Sequence, residues 1–89
     1  VRAARIDSTH TEIVAALRDA GALVISLATV GLGCPDLCVG FRKRNYLLEV
    51  KGPKGKLNPY QEALHKMWPG QMNVVRTPEE ALRAIGAIK

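Results

Sequence analysis

Apolar and polar positions along the 89-residue chain change period several times, and each change marks an element. From Thr9 to Ala20 the apolar residues Ile13, Val14, Ala16, Leu17 and Ala20 recur three and four apart, the spacing of one helix face, and Gly21 supplies a stop. Thr9 followed by Glu12 has the form of a capping box at the start of that helix. Leu23 to Thr29 is short, apolar and partly β-branched, bounded by Gly21 and by Gly31-Leu32-Gly33. Its lack of alternation predicts a buried strand covered on both faces. Leu37 to Phe41 and Tyr46 to Lys51 read as two further strands joined by the polar tetrad Arg42-Lys43-Arg44-Asn45, a length that suits an antiparallel hairpin. Gly52-Pro53 ends the second.

After Lys54-Gly55-Lys56, Asn58 is placed to cap a helix with Pro59 at its first position, running to about Trp68 before Pro69-Gly70. Asn73 to Arg76 reads as a last strand, and Thr77-Pro78-Glu79-Glu80 opens a terminal helix through Ile85. The order is helix, three strands, helix, strand, helix. Three sequential strands favour meander pairing, and the helix before the fourth permits a crossover, so an α/β sandwich with a mixed four-stranded sheet is expected. No linker, repeat or low-complexity segment interrupts it, and residues 1–89 read as one domain.

Composition adds limits. A domain of this length buries only about 60 to 65% of its unfolded surface, so it folds with modest reserve. Hydrophobic residues at 47% and charged residues at 24% argue against disorder, collagen and disulfide scaffolds. No apolar run approaches the roughly 18 residues of a membrane span, which favours a soluble protein. The first residues show the polar punctuation of a helix rather than a signal peptide, and Val1 in place of Met reads as a trimmed start. Cys34 and Cys38 are too few for a structural zinc site and suit a disulfide badly if they begin a strand, so they read as ordinary thiols of a reducing compartment.

A net charge of +5 suggests a polyanionic partner, because Lys and Arg at phosphates release counterions. Its distribution matters more: Arg42, Lys43, Arg44, Lys51, Lys54 and Lys56 fall within one short stretch, which favours nucleic acid. Candidate chemistry lies beside this stretch. If Phe41 pairs with Tyr46, then Val39 faces Leu48, Leu37 faces Val50, and one hairpin face is wholly apolar. On the other face Asp36 lies across from Lys51, Cys38 across from Glu49, and Asp36 diagonal to Glu49, a separation of about 7 to 8 Å. A one-residue slip would point half of the apolar set to the polar side, so the hydrophobic pattern selects this register. Two carboxylates and an ammonium gathered at a hairpin end cost desolvation unless a metal or ligand compensates them. Singly, each of these residues reads better as a solvated strand or turn position; their conjunction points to chemistry.

Gly33-Cys34-Pro35-Asp36-Leu37, then Glu49-Val50-Lys51, then Leu57-Asn58-Pro59-Tyr60-Gln61 together resemble the signature of the PD-(D/E)xK nuclease superfamily, and within it the VRR-NUC family, found in the Fanconi-associated nuclease and in small stand-alone phage proteins. The resemblance runs from Glu12 to Val75. It implies a restriction-endonuclease-like core in the order α-β-β-β-α-β-α and a magnesium or manganese ion held by Asp36, Glu49 and the carbonyl of Val50. It also implies that Lys51 stabilises the attacking hydroxide or the developing phosphorane charge. Glu12 matches an acidic residue that the family carries on its first helix as a direct or water-mediated metal ligand, against its reading as half of a capping box. Gln61 matches a helix glutamine that orients substrate or water, against an exposed helix residue.

His65, one turn after Gln61, could touch phosphate but reads more simply as boundary packing, and His10 carries less weight still. Tyr60 and Trp68 could stack on bases, yet no aromatic is interleaved with the basic stretch, and Trp68 reads as core. By resemblance the expected protein is a cytoplasmic homodimer, in a bacterium or a phage-infected cell, that cuts branched DNA such as four-way junctions. Two readings stay open beside it: a non-catalytic nucleic-acid-binding module, and a nuclease of linear duplexes or RNA.

Overall fold

The computed structural model describes residues 2–89, with side chains from Ser8 onward. Its elements are α1 (Arg2–Asp19), β1 (Leu23–Ser26), β2 (Leu37–Phe41), β3 (Arg44–Val50), α2 (Pro59–Met67), β4 (Met72–Val75) and α3 (Pro78–Ala84). The four strands form one mixed sheet in the order β1-β2-β3-β4, antiparallel through β3 and parallel between β3 and β4. This is the expected α/β order. Among the described residues, no helix is long and apolar enough to cross a membrane.

One face of the sheet carries the core. Leu37, Val39 and Phe41 of β2 alternate with half-buried neighbours, and with Tyr46, Leu48 and Val75 they meet Ile13 and Leu17 of α1 and Ala81 and Ile85 at the end of the chain. Ile13, Leu17, Val39 and Leu48 are fully enclosed, and each such aliphatic side chain contributes roughly 1.5–3 kcal/mol relative to exposure. The other face is covered only in part. α2 has no buried residue, and it reaches that face over β3 through Gln61 and Trp68.

This partial cover corrects two expectations. β1 is an edge strand with only Val24 turned to the core, while Leu23 and Ile25, on its other side, are 73% and 55% exposed; it is not covered on both faces, because α2 stops short of it. Trp68 is not core either: it follows the last turn of α2 and remains 44% exposed. A third correction concerns α1, which begins at Arg2, so Thr9 and Glu12 lie inside the helix and form no capping box. No Gly or Pro interrupts residues 2–8, and the helix propagates through them. The capping box instead occurs on α2, where Asn58 Oδ1 accepts from Gln61 N and Gln61 Oε1 accepts from Asn58 N, both at 2.9 Å.

The hairpin also differs from expectation. Phe41 pairs with Arg44, not Tyr46, so the loop contains only Arg42 and Lys43, and Val39 faces Tyr46 while Leu37 faces Leu48. This register lies two residues from the expected one, a shift that leaves every side chain on its original face. Apolar patterning excludes odd slips but is blind to even ones; the tight turn decides. Arg42 and Lys43 both have positive φ, 52° and 70°, as a two-residue type I′ turn requires. That conformation suits Asn and Gly, and costs other residues roughly 1–2 kcal/mol each. Arg42 recovers part of it by lying 4.7 Å above the Phe41 ring. Replacing the pair with Asn-Gly (Arg42→Asn with Lys43→Gly) should raise stability by about 1 kcal/mol and Tm by about 4–8 °C, read by thermal denaturation.

Candidate active site

The site forms where β2 begins and β3 ends. Pairing of Leu37 with Leu48, continued by one residue, sets Asp36 opposite Glu49 rather than diagonal to it. Asp36 is fixed from two sides: its carbonyl accepts from Leu27 N at 2.7 Å, and its Oδ2 accepts from the Val50 amide at 2.8 Å. Val50 therefore contributes its N–H to the cluster, a contact that sequence reasoning missed because it depends on register. Glu49 is the only buried charged side chain among the described residues, at 2% exposure. Its two oxygens have different surroundings. Oε2 accepts from Gln61 Nε2 at 3.2 Å and lies 3.8 Å from Lys51 Nζ, whereas Oε1 is enclosed without any hydrogen-bond partner.

Such an orphaned acceptor is expensive, since a buried charge without a partner loses its hydration and gains nothing in return. The carboxyl responds: burial pushes Glu49 up from 4.5 to about 7, the neighbouring Asp36 carboxylate pushes the same way, and Lys51 offsets only part of this. Glu49 shares one face of β3 with Lys51, two residues on, and Lys51 N–H donates to Val75 O, so the ammonium extends from a paired backbone.

Two contacts position these groups from outside the hairpin. Gly33, with φ at 81°, brings its loop so close to the start of α2 that an added Cβ would meet Tyr60 C and O at 2.7 Å. The glycine in the signature thus has a physical reason: it lets the segment carrying Asp36 dock on the helix turn carrying Gln61. Arg76 is the second, unforeseen from sequence. Its Nη1 donates to Gly52 O at 2.6 Å and Gly55 O at 2.8 Å, fastening the loop beyond Lys51. The parallel register that pairs Val50 with Val75 sets Arg76 beside that loop; the only sequence signal was an Arg closing the last strand.

Glu12 is not brought in. It is exposed on α1, and among the described residues no group of three or more His, Cys, Asp or Glu side chains is placed to hold a metal. What remains is a pair of carboxylates, one with a free buried oxygen, and that fits a magnesium-like ion, which takes one or two carboxylates and keeps several waters. Cys34 and Cys38 are free and half-buried. His65 has a buried, unpartnered Nε2, and burial holds its pKa below the ordinary 6.5.

The basic residues separate into two groups. Lys54 and Lys56 are exposed on the loop next to Lys51, whereas Arg42, Lys43 and Arg44 are exposed at the hairpin tip. Arg44 stands five residues from Glu49 along β3, about 17 Å at roughly 3.4 Å per residue. Closeness in sequence had merged two ends of one strand. No family model, no curated protein and no solved structure matches this chain.

Two expectations follow from this geometry. Because the folded-state pKa of Glu49 lies above its unfolded value, its contribution to stability is complete below about 4.5 and is lost as pH rises through about 7. In chelator-treated protein, stability should therefore fall by about 3 kcal/mol across that window, and Glu49→Gln should remove most of the slope; an unchanged slope would refute the assignment. Gly33→Ala should cost about 2–5 kcal/mol in denaturant unfolding, from its positive φ and the backbone collision together.

Proposed function

We propose that this chain is a metal-dependent nuclease of the PD-(D/E)xK kind, similar to the VRR-NUC family, that hydrolyses phosphodiester bonds in DNA. The observation carrying this reading is the divided environment of Glu49 beside Asp36: Oε2 is held by Gln61 and Lys51 while Oε1 is buried and unpartnered. A carboxylate held this way at a hairpin end is poised for a cation.

In the proposed arrangement Asp36 and Glu49 hold magnesium or manganese, with the Val50 carbonyl as a further oxygen donor. When bound, the ion acidifies a water and offsets charge on the scissile phosphate. Gln61 keeps Glu49 oriented and so presents Oε1. Lys51, partly exposed beside the pair, places its ammonium where negative charge grows during attack. Asp36 is kept from rotating by the Val50 amide. Lys54 and Lys56 extend positive charge from the site along the nucleic acid, and Arg42, Lys43 and Arg44 supply a second basic contact at the hairpin tip. Glu12 stands outside this ligand set.

Branched DNA as substrate and a homodimer as the working unit belong to the same proposal. Support for the dimer comes from edge strand β1, which offers unpaired backbone groups and the exposed side chains of Leu23 and Ile25. Two sites related by a two-fold axis suit a two-fold junction.

Purified protein incubated with labelled four-way junction, linear duplex and single strand, in magnesium, manganese or EDTA, tests the reading. Cleavage should require metal, disappear in Asp36→Asn, and drop roughly 10²- to 10³-fold in Lys51→Ala, as for loss of one charge-stabilising donor. Manganese at about 100 times its Kd should also stabilise the native protein by about 2.7 kcal/mol, and Asp36→Asn should abolish this gain. Metal-independent cleavage or full activity in Asp36→Asn would overturn the mechanism; binding without cleavage of any substrate would favour a non-catalytic module.

A further inference from the structure

A cleft lies away from the carboxylates. It has a volume of about 590 Å³ and is lined by Arg44, Asn45, Leu47, Trp68, Gly70 and Gln71. Trp68 forms its flat wall. The residue sits at the C-cap of α2 in extended conformation, with its N–H bonded to Leu64 O. A Cβ on Gly70 would meet Trp68 Nε1 at 2.9 Å. The indole thus packs closely against Gly70, yet stays 44% exposed.

We infer that this cleft receives an unpaired nucleobase of a DNA strand. Its lining supplies each component such a ligand needs. An indole face stacks on any base, because every base has a π-face. Asn45 and Gln71 carry carboxamides, which both donate and accept and match the hydrogen-bonding edges of bases. Leu47 adds an apolar contact, and Arg44 a cation for the attached phosphate. No acidic residue lines the cleft, which suits an anion. The base is unpaired because one stacked and paired within a duplex cannot present its face and edge to a protein cleft.

The location links the cleft to the proposed nuclease reading, on which its role in substrate choice rests. Asn45, Leu47 and Glu49 alternate along β3 and point to the same sheet face. Leu47 and Asn45 precede Glu49 by two and four residues, about 7 and 13 Å at roughly 3.3 Å per residue. The captured base therefore lies within a few nucleotides of the reacting bond. Ordinary duplex offers no free base at that distance, whereas a branch point that is opened or carries a single-stranded arm does. The cleft gives this small protein a way to favour branched over linear DNA without reading sequence.

Trp68 is the sole tryptophan of the chain, so its fluorescence reports the cleft directly. In EDTA, which prevents metal-dependent cleavage, the native protein is titrated with a short oligothymidylate and with an abasic oligomer of equal length and charge. The base-bearing strand should quench Trp68 and the abasic strand should not. Anisotropy of labelled oligothymidylate should show affinity falling about 5- to 150-fold in Trp68→Leu, the range for one lost base–aromatic stack, with Trp68→Phe retaining most of it and circular dichroism confirming the fold of both. Arg44→Ala should weaken binding and lessen its salt dependence while leaving saturated quenching in place. Equal quenching by the abasic strand, binding without quenching, or native affinity in Trp68→Leu would overturn the inference. Metal-dependent cleavage with a silent Trp68 would remove the base pocket and leave the nuclease standing; quenching without cleavage of any substrate would do the reverse.

Discussion

The β2–β3 ladder sets Leu37 opposite Leu48 and Val39 opposite Tyr46, and these side chains, with Ile13 and Leu17 of α1, make up much of the enclosed core. Burial of that apolar face holds the two strands in one register, and alternation then delivers their remaining side chains to the opposite face. Asp36 and Glu49 meet there because the core cannot tolerate the odd register that would separate them. Core packing and site geometry are consequently one constraint: a change that loosened Leu37 against Leu48 would also move the carboxylates apart.

Holding Glu49 in this position is unfavourable for the fold alone. A carboxylate at 2% exposure with one orphaned oxygen and a neighbouring Asp resists ionisation, and the single ammonium of Lys51 compensates incompletely. The surrounding structure overcomes the penalty by rigid support on several sides: the Val50 amide on Asp36, Gln61 on Glu49, and the Gly33 contact that docks the Asp36 loop on the first turn of α2. Strain retained beside such preorganised groups accords with a binding role. Arg42 and Lys43 show the same trade at the far end of the hairpin, where two cations occupy left-handed positions better suited to Asn and Gly.

α2 has a different character from the two helices on the core side. It buries no residue and reaches the sheet through Gln61 at its start and Trp68 just past its end. A helix that contributes so little to the core serves mainly to carry side chains to places on the sheet. Its first turn completes the carboxylate site, and the residue after its last turn walls the cleft beside Arg44 and Asn45.

Local physics made much of this legible in the sequence. Helical spacing in residues 9–20, Asn58-Pro59 before the second helix, Thr77-Pro78 before the third and the alternation of Leu37, Val39 and Phe41 are short-range signals, and they determined the element order, the apolar face of the hairpin and the conjunction of Asp36, Glu49 and Lys51. Tertiary structure alone decided the rest. Period-two patterning cannot distinguish registers two residues apart, so the direct opposition of Asp36 and Glu49 required the tight Arg42-Lys43 turn. Coverage of a face depends on where a distant helix lands, which is why β1 and Trp68 were expected inside and stand exposed. Arg76 meets Gly52 and Gly55 only through a parallel pairing formed after α2. The pair of carboxylates that begins as a spacing in the sequence becomes, through these long-range contacts, one buried oxygen without a partner.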